Sequence, residues 1–365
     1  MQEIRLAVIP GDGVGIEVMR EAKKVLDRLA GLHGGIAFRY ADYEWGCAYY
    51  QRTGRMMAED GMERLADSDA ILLGAVGYPG VPDHVSLRDL LLRIRQGFDQ
   101  YVNYRPVRLL DARDCPLKNM GPEDLDIVFI RENTEGEYCG AGGRLRQGTA
   151  DETALQTAVF TRKGTERVMR FAFELARSRA GSGGSSGRKG RLTSVTKSNA
   201  LNHSMVFWDA VFAGLKAEYP DVETSQYHVD AMSMYLIQRP RDFDVVVASN
   251  LFGDILTDLG AVLQGGLGLA AGGNLNPERA HPSMFEPVHG SAPDIAGKGW
   301  ANPLAMIWTV KLMLDFLGHE DLGARVLSSI EQAVRSRRAE LTRDMGGRGS
   351  TSSVGDLIVE LVSKR

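Results

Sequence analysis

Several features that would direct a chain to a special environment are scarce or missing in these 365 residues. There are only three cysteines, Cys47, Cys115 and Cys139, and their spacing matches neither a metal site nor a disulfide framework. No apolar run approaches the roughly 20 residues that span a bilayer, and the start around Glu3 does not read as a signal peptide. A net charge of −4 gives no reason to expect nucleic acid or an anionic membrane. These absences favour a reducing compartment, and we expect a cytoplasmic location.

A complete dinucleotide fingerprint is also missing. The turn Pro10–Gly15 lies between an apolar strand predicted at residues 4–9 and a helix predicted at 16–29. The pattern Gly-x-Gly-x-x-Gly would need glycine at position 16, where this chain has Ile16. The turn therefore predicts a tight strand-to-helix connection near a ligand, and not a Rossmann site.

What is present is the composition and pattern of a globular α/β protein. Apolar residues make up 44% and charged residues 25% of the chain, as in ordinary soluble proteins. Predicted strands, among them 36–43 and 70–77, alternate with helices to about residue 260, which favours an α/β fold with much parallel sheet. Helices are predicted at 303–318, 320–340 and 354–363, and an exposed glycine- and serine-rich loop at 180–187.

Polar residues follow three of the predicted strands, at the point where each strand ends. Strand 126–130 leads to Arg131 and Tyr138, strand 192–196 leads to Lys197, and strand 244–248 leads to Asp254. Ligand sites of open α/β sheets lie at the carboxyl ends of strands. The three ends together offer a cation for a carboxylate, two groups for proton transfer and acids for a metal, as the oxidation of a hydroxy acid would need.

The acids could form a metal site. Asp254 and Asp258 are four residues apart and share a helix face, and Asp230 offers a third carboxylate. Three carboxylates make a hard-oxygen site that suits Mg²⁺ or Mn²⁺. The alternative is that these acids only stabilise the N-terminal end of a helix through its dipole.

Arginines and one long loop are further candidates. Arg95, on an amphipathic stretch at 87–100, Arg105 and Arg131 could each bind a carboxylate through the planar guanidinium. The alternative for each is a solvated surface residue. The polar loop at 283–299 is long enough to be functional, or it is a surface excursion.

Seven motifs in one order carry a resemblance to a known family. The chain resembles the β-decarboxylating hydroxyacid dehydrogenases, which act on isocitrate, 3-isopropylmalate, homoisocitrate, and tartrate or D-malate. Within the family, the segments 81–87, 98–108 and 131–138 look like the tartrate/D-malate branch. The seven motifs are Pro10–Gly15, Asn103–Pro106, Arg131–Tyr138, Val195–Asn199, Asn250–Asp258, Phe285–Asn302 and Leu341–Gly347.

The resemblance implies a fold and an assembly. The implied fold is a two-domain α/β/α fold of the isopropylmalate/isocitrate dehydrogenase type with a mixed sheet, distinct from the Rossmann fold. Residues 1–105 and 265–365 would form a large cofactor-binding domain and residues 106–264 a small domain, with an active-site cleft between them. A homodimer with shared active sites is implied, in which Lys197 and Asp230 complete the site of the partner copy.

The resemblance also implies residue roles. The substrate would be a small 2-hydroxy dicarboxylate, with NAD and Mg²⁺ or Mn²⁺ as cofactors and K⁺ as a further candidate. Arg95, Arg105 and Arg131 would hold its carboxylates, Tyr138 and Lys197 would transfer protons, and Asp254 and Asp258 would hold the metal with Asp230. The implied cofactor contacts are Val14, Ala75, Asn199, Asn250, Glu286, His289, Gly290, Ser291, Ala292, Asp294, Ile295 and Asn302.

One position departs from the branch. Arg88 stands where tartrate/D-malate enzymes usually have Trp, one to two helical turns before Arg95, and the resemblance implies that this position faces the substituent on the substrate's C3. The alternative is that Arg88 turns outward to Asp89 or solvent and leaves Leu91 and Leu92 to line the pocket. A cation there suits tartrate or D-malate better than a branched apolar group. Two alternatives remain open: a 3-isopropylmalate dehydrogenase, and a catalytically silent regulatory paralogue.

Overall fold

The computed structural model describes residues 1–181 and 190–364, so most of the loop predicted at 180–187 lies outside the described residues. The strands are β1 (Gln2–Gly11), β2 (Ile36–Asp42), β3 (Ala70–Ala75), β4 (Val102–Arg108), β5 (Asp126–Glu132), β6 (Gly142–Leu145), β7 (Thr153–Gln156), β8 (Arg191–Thr196), β9 (Glu223–His228), β10 (Val245–Ala248), β11 (Ala271–Leu275) and β12 (Ser283–Pro287). The helices are α1 (Val14–His33), α2 (Cys47–Thr53), α3 (Gly61–Ala66), α4 (Asp83–Ser86), α5 (Arg93–Gly97), α6 (Arg162–Gly181), α7 (Ser204–Lys216), α8 (Val229–Gln238), α9 (Asn250–Gln264), α10 (Leu304–Phe316), α11 (Glu320–Ser336) and α12 (Thr351–Ser363).

The chain divides into two compact units. The terminal unit contains Met1–Gln100, Leu109–Pro122 and Ala261–Arg365, and the middle unit contains Tyr101–Arg108 and Glu123–Gly260. None of the helices in the described ranges is long and apolar enough to cross a bilayer.

In the terminal unit the strands lie in the order β2-β1-β3-β12-β11. The pairs β1–β2, β1–β3 and β3–β12 are parallel, whereas β11 and β12 are antiparallel. Helix α1 buries the apolar face that its sequence spacing predicts, from Val18 to Leu29. It ends at Gly34, whose φ of 68° is the left-handed conformation that glycine adopts most readily at a helix end.

The amphipathic stretch at 87–100 is not one regular helix. Leu87–Leu92 forms a π-helical turn that continues α4 and leads into α5, which ends at Gly97. A π turn adds one residue to a helical turn, so it changes which side chains share a face, and such turns occur often at functional sites. The sequence periodicity did not predict this turn, because its apolar residues Leu90, Leu91 and Leu92 are consecutive and show no helical spacing. All three are buried in the structure.

In the middle unit the strands lie in the order β4-β5-β10-β8-β9. The pairs β5–β10, β10–β8 and β8–β9 are parallel, and β4 runs antiparallel to β5. The carboxyl ends of β5, β10, β8 and β9 therefore meet at one edge of the sheet. A separate antiparallel pair, β6 and β7, forms an exposed arm.

Candidate active site

Arg131 is the penultimate residue of β5 in the middle unit and is almost completely buried, with 2% of its surface exposed. Its Nη1 donates to Asp254, and its Nε and Nη2 donate to Asn250 Oδ1 at 2.9 and 2.6 Å. The first turn of α9 approaches closely because residue 253 is glycine: a Cβ on Gly253 would lie 2.7 Å from the Arg131 side chain. The Asn250-to-Asp254 motif thus encloses this guanidinium.

Asp254 is the centre of the cluster. Besides Arg131, it accepts a hydrogen bond from Tyr138 Oη at 3.0 Å and lies 3.6 Å from Arg105 Nη2. Its side chain remains 38% exposed. Two guanidiniums and one phenol therefore surround a carboxylate that still faces solvent, a charge arrangement suited to an acidic ligand or a cation.

Tyr138 lies in a short 3₁₀ turn, Glu137–Cys139. Burial raises the pKa of its phenol, and the negative charge of Asp254 raises it further, while Arg131, 5.5 Å from the ring centre, lowers it. Because the net shift is upward, the phenol stays protonated at neutral pH and can donate a proton.

The segment that carries Tyr138 is fixed at its start. The Glu132 carboxylate accepts from Thr134 N, Thr134 Oγ1 and Glu135 N, each at 2.8 Å, and burial raises the pKa of Glu132. Asn250 Nδ2 donates to the carbonyl oxygen of Glu135 at 3.0 Å. Asn250 thus connects this segment to Arg131 through one amide.

Arg105, on β4, is held by a residue that the sequence did not reveal as functional. Its Nη1 donates to Thr257 Oγ1 at 2.6 Å, and the Thr257 hydroxyl donates to the carbonyl oxygen of Asp254 at 3.0 Å. Both Arg105 and Thr257 are buried. The sequence offered one sign of Thr257: it is a polar residue on the face of α9 that also carries Asn250, seven residues earlier, and Asp254, three residues earlier.

The carboxylate oxygens of Asp254 and Asp258 are ligands of the kind that suits a divalent cation. Burial raises the pKa of Asp258, the Arg105 charge lowers it and the Asp254 charge raises it. A carboxylate that is costly to ionise beside a second carboxylate is stabilised by a bound cation. Within residues 1–181 and 190–364, no group of three or more His, Cys, Asp or Glu side chains could hold a metal ion, so Asp230 does not join these two acids within one chain.

Lys197 and Asp230 form a second cluster at the same sheet edge. Lys197 Nζ donates to Asp230 Oδ1 at 2.6 Å, and this bond lowers the pKa of Asp230. The strand order explains why Lys197 meets Asp230 and lies apart from the Arg131 cluster, because β8 and β9 are neighbours and Thr196 lies opposite His228. The predicted polar groups therefore divide into an Arg131 cluster and a Lys197 pair.

In the terminal unit, the predicted substrate residue Arg95 pairs with the predicted cofactor residue Glu286. Arg95 Nη2 donates to Glu286 Oε1 at 2.6 Å, and Asn274 Nδ2 donates to the same oxygen at 2.8 Å. Arg95 is 4% exposed, and its buried Nε has no hydrogen-bond partner in the described part of the chain. The Arg95 guanidinium is thus held by Glu286 and keeps one buried N–H without a partner among the described residues.

The turn Pro10–Gly15 contacts the loop that follows β12. Val14 N donates to Ser291 O at 2.8 Å, and Asp12 N donates to Ala75 O at 2.7 Å. Gly13 has a φ of 54°, and a Cβ there would lie 2.1 Å from Ser291 O, so glycine is required. The structure thus brings together the predicted cofactor residues Val14, Ala75 and Ser291.

Other predicted cofactor residues lie along the same loop. Gly297 N donates to Glu17, and Asn302 Nδ2 donates to Asp344 Oδ2 at 2.9 Å. Burial lowers the pKa of His289, which is therefore neutral at neutral pH. Gly290 and Asp294 are exposed, Ala292 and Ile295 are half-buried, and Asn199 is exposed in the middle unit.

Arg88 and Leu91 differ in their surroundings. Arg88 is exposed and makes no hydrogen bond or ion pair to any residue that the structure describes. Leu91 is 9% exposed and belongs to a hydrophobic cluster with Leu90, Ile94 and Met57. Arg88 can therefore reorient toward a ligand, whereas Leu91 is held by packing.

Comparison with known proteins identifies relatives over the full length. The model of the isocitrate/isopropylmalate dehydrogenase family matches residues 5–358. A probable tartrate dehydrogenase/decarboxylase of Bacillus subtilis (strain 168) is 50% identical over 100% of this chain and 99% of its own length. The D-malate dehydrogenase (decarboxylating) of Escherichia coli (strain K12) is 47% identical over 99% of each chain.

Two further matches broaden the comparison. A 3-isopropylmalate dehydrogenase of Thermobifida fusca (strain YX) is 49% identical over 99% of this chain and 98% of its own. Among solved structures, isocitrate dehydrogenase from Methylococcus capsulatus superposes with a TM-score of 0.86 at 32% identity, over 98% of this chain and 99% of that chain.

Proposed function

We propose that this chain, which belongs to the isocitrate/isopropylmalate dehydrogenase family, oxidises and decarboxylates D-malate or a tartrate isomer with NAD and a divalent metal. The family, the fold and the dehydrogenase class predicted from the sequence are confirmed by the family match and the structural neighbour. The observation that carries the proposal is the convergence of Arg105, Arg131 and Tyr138 on Asp254.

The guanidiniums determine the kind of substrate. Arg105 and Arg131 are buried cations at fixed positions, and in this proposal they bind the carboxylates of a small dicarboxylic acid. Arg95, with one unpartnered N–H, serves as a third guanidinium. Asn250 holds Arg131 in place and is not itself required to touch the cofactor.

The acids hold the metal in this proposal. Asp254 and Asp258 supply two ligands, and Asp230 of a second copy supplies the third. A bound Mg²⁺ or Mn²⁺ would lower the pKa of the substrate hydroxyl and stabilise the enolate charge that decarboxylation produces. K⁺ remains a further candidate.

Two side chains move protons. Lys197 of a second copy assists removal of the proton from the C2 hydroxyl. A bound NAD would supply the acceptor for the hydride that leaves C2. After loss of CO₂, Tyr138 donates its proton to the enol carbon. The raised pKa of Tyr138 keeps that proton on the phenol until this step.

A homodimer follows from the same proposal, because Lys197 and Asp230 lie apart from the Arg131 cluster in one chain. Exposed apolar side chains on the helices and on the β6–β7 arm of the middle unit support such an interface, because burying them in a dimer stabilises it. They are Leu145, Leu155, Val206, Met234, Ile237 and Ile255.

The cofactor assignment depends on the loop at 288–302 of the terminal unit. Asp294 is exposed there and would accept from the ribose hydroxyls of NAD, and it would repel the 2′-phosphate of NADP. The proposal thus assigns the cofactor to the terminal unit and the metal and proton-transfer residues to the middle unit. A cytoplasmic location stays a prediction.

A second candidate is 3-isopropylmalate oxidation. The Thermobifida fusca relative, 49% identical, bears that name. Leu91 is an apolar residue of the segment expected to face the C3 substituent, and exposed Arg88 can turn toward solvent. The two candidates differ in whether Arg88 or Leu91 contacts that substituent.

The test is a substrate panel on the purified protein. NADH formation is followed with Mn²⁺ or Mg²⁺ on D-malate, the tartrate isomers, 3-isopropylmalate and isocitrate, with a chelator as the control for the metal. The proposal expects the highest kcat/KM on D-malate or a tartrate. A higher value on 3-isopropylmalate selects the second candidate, and no turnover of any of them selects the catalytically silent paralogue.

A further inference from the structure

Thr257 lies between the two acids of α9, yet its hydroxyl points to Arg105. The Oγ1 atom accepts from Arg105 Nη1 at 2.6 Å, and the side chain is 2% exposed. A buried bond to a charged donor contributes more than a neutral one and is costly to leave unmade. Thr257 therefore bears directly on where this guanidinium points.

The direction of each bond follows from the chemistry of the groups. A guanidinium only donates, so Thr257 Oγ1 must accept from Arg105. The hydroxyl proton is then committed to the carbonyl oxygen of Asp254, 3.0 Å away, which is one turn earlier in α9. The hydroxyl cannot rotate without breaking one of these two bonds, and Arg105 is held in one orientation 3.6 Å from Asp254.

We propose that Thr257 is a positioning residue that aims the Arg105 guanidinium at a substrate carboxylate, an inference that rests on the proposed function. It acts on the binding of the dicarboxylate and does not touch the reacting atoms. Loss of the hydroxyl should therefore raise KM for the dicarboxylate and leave kcat and KM for NAD nearly unchanged, because the cofactor binds residues of the terminal unit.

Matched variants separate the hydroxyl from the volume of the side chain. Thr257→Val keeps the shape and removes the hydroxyl, whereas Thr257→Ser keeps the hydroxyl and removes the methyl group. We expect Thr257→Val to raise KM for the best dicarboxylate about tenfold, which corresponds to ~1.4 kcal/mol, and Thr257→Ser to stay within about twofold of the unmodified protein. In an Arg105→Ala background, Thr257→Val should add little further change in KM, because the hydroxyl then keeps only its bond to the carbonyl oxygen of Asp254 and has no guanidinium to position.

Several results would overturn this inference. One is an unchanged KM in Thr257→Val; another is equal loss in Thr257→Val and Thr257→Ser, which would indicate packing alone. A third is a Thr257→Val effect that persists in full after Arg105→Ala. If Thr257→Val does not fold, Thr257→Ala is measured in the same way against Thr257→Ser.

The unmodified protein on the substrate panel tests the proposed function separately. If 3-isopropylmalate proves to be the preferred substrate, the substrate proposal fails, and the variant ratios on that acid still decide the role of Thr257. If no hydroxy dicarboxylate binds or reacts, both proposals fall together.

Discussion

Asp254→Asn replaces the central carboxylate of the Arg131 cluster by an amide of the same shape. The amide oxygen can still accept from Arg131, and the amide nitrogen faces Tyr138 Oη, which can also accept. The substitution therefore removes a charge and keeps most of the hydrogen-bonding geometry. Its effects on stability and on catalysis should differ in size.

The expected loss of stability is modest. A hydrogen bond to a charged partner contributes about 1.5–3 kcal/mol and a neutral one about 1 kcal/mol, so the charge accounts for ~0.5–2 kcal/mol. Asp254 is 38% exposed, and solvent screening places the effect in the lower half of that range. We expect the free energy of unfolding without metal, measured by urea denaturation, to fall by about 1 kcal/mol.

The expected loss of activity is much larger. A neutral amide is a poorer ligand for a hard divalent cation than a carboxylate. We expect kcat/KM to fall about a hundredfold or more, on the order of 3 kcal/mol, and the Mn²⁺ concentration for half-maximal activity to rise. Direct titration of Mn²⁺ on the protein without substrate should show the same weakening.

The control is Asp321→Asn, an exposed acid in the first turn of α11, which should change stability by less than about 0.5 kcal/mol and leave kinetics unaltered. Near-normal kinetics of Asp254→Asn at micromolar Mn²⁺ would refute the metal assignment. A large loss of folded protein without metal would instead indicate that the charge acts mainly on structure.

Four further predictions concern single residues. Tyr138→Phe should lower kcat by about a hundredfold or more through loss of the proton donor. Since burial and Asp254 raise the pKa of Tyr138, the unmodified enzyme should keep this donor up to and beyond the usual tyrosine titration near pH 10. A fall of kcat that begins well below that pH would contradict the assignment. The kcat/KM for NAD should exceed that for NADP by at least about tenfold, roughly 1.4 kcal/mol, and Asp294→Ser should reduce this preference. Equal kcat/KM for the two cofactors in the unmodified enzyme would refute the role of Asp294. Arg88→Leu should raise the kcat/KM for 3-isopropylmalate relative to that for D-malate or tartrate. An unchanged ratio would show that Arg88 does not contact the substrate. Asn250→Leu should raise KM for the dicarboxylate and not for NAD, since its amide binds Arg131 and Glu135 O; the reverse pattern would restore it as a cofactor residue.

The regular elements were accessible from local pattern. The strands predicted at 126–130, 192–196 and 244–248 agree with β5, β8 and β10 to within two residues at each end, and the apolar face of α1 is buried as its spacing predicts. Buried strands and amphipathic helices leave short-range periodicities that need no knowledge of neighbours. The π-helical turn at Leu87–Leu92 was missed, because a single turn of altered register leaves no such period.

The choice of partners was decided by tertiary structure. The sequence places Arg131, Lys197, Asp230 and Asp254 after strands, but the strand order β5-β10-β8-β9 pairs Arg131 with Asp254 and Lys197 with Asp230. Thr257 meets Arg105 only because β4 lies beside β5 and brings Arg105 to α9. Local propensity acts over a few residues along the chain, whereas these contacts join residues more than thirty, and up to about 150, positions apart. Motif order could therefore identify the family and its candidate residues, while the folded sheet determined which of those residues meet.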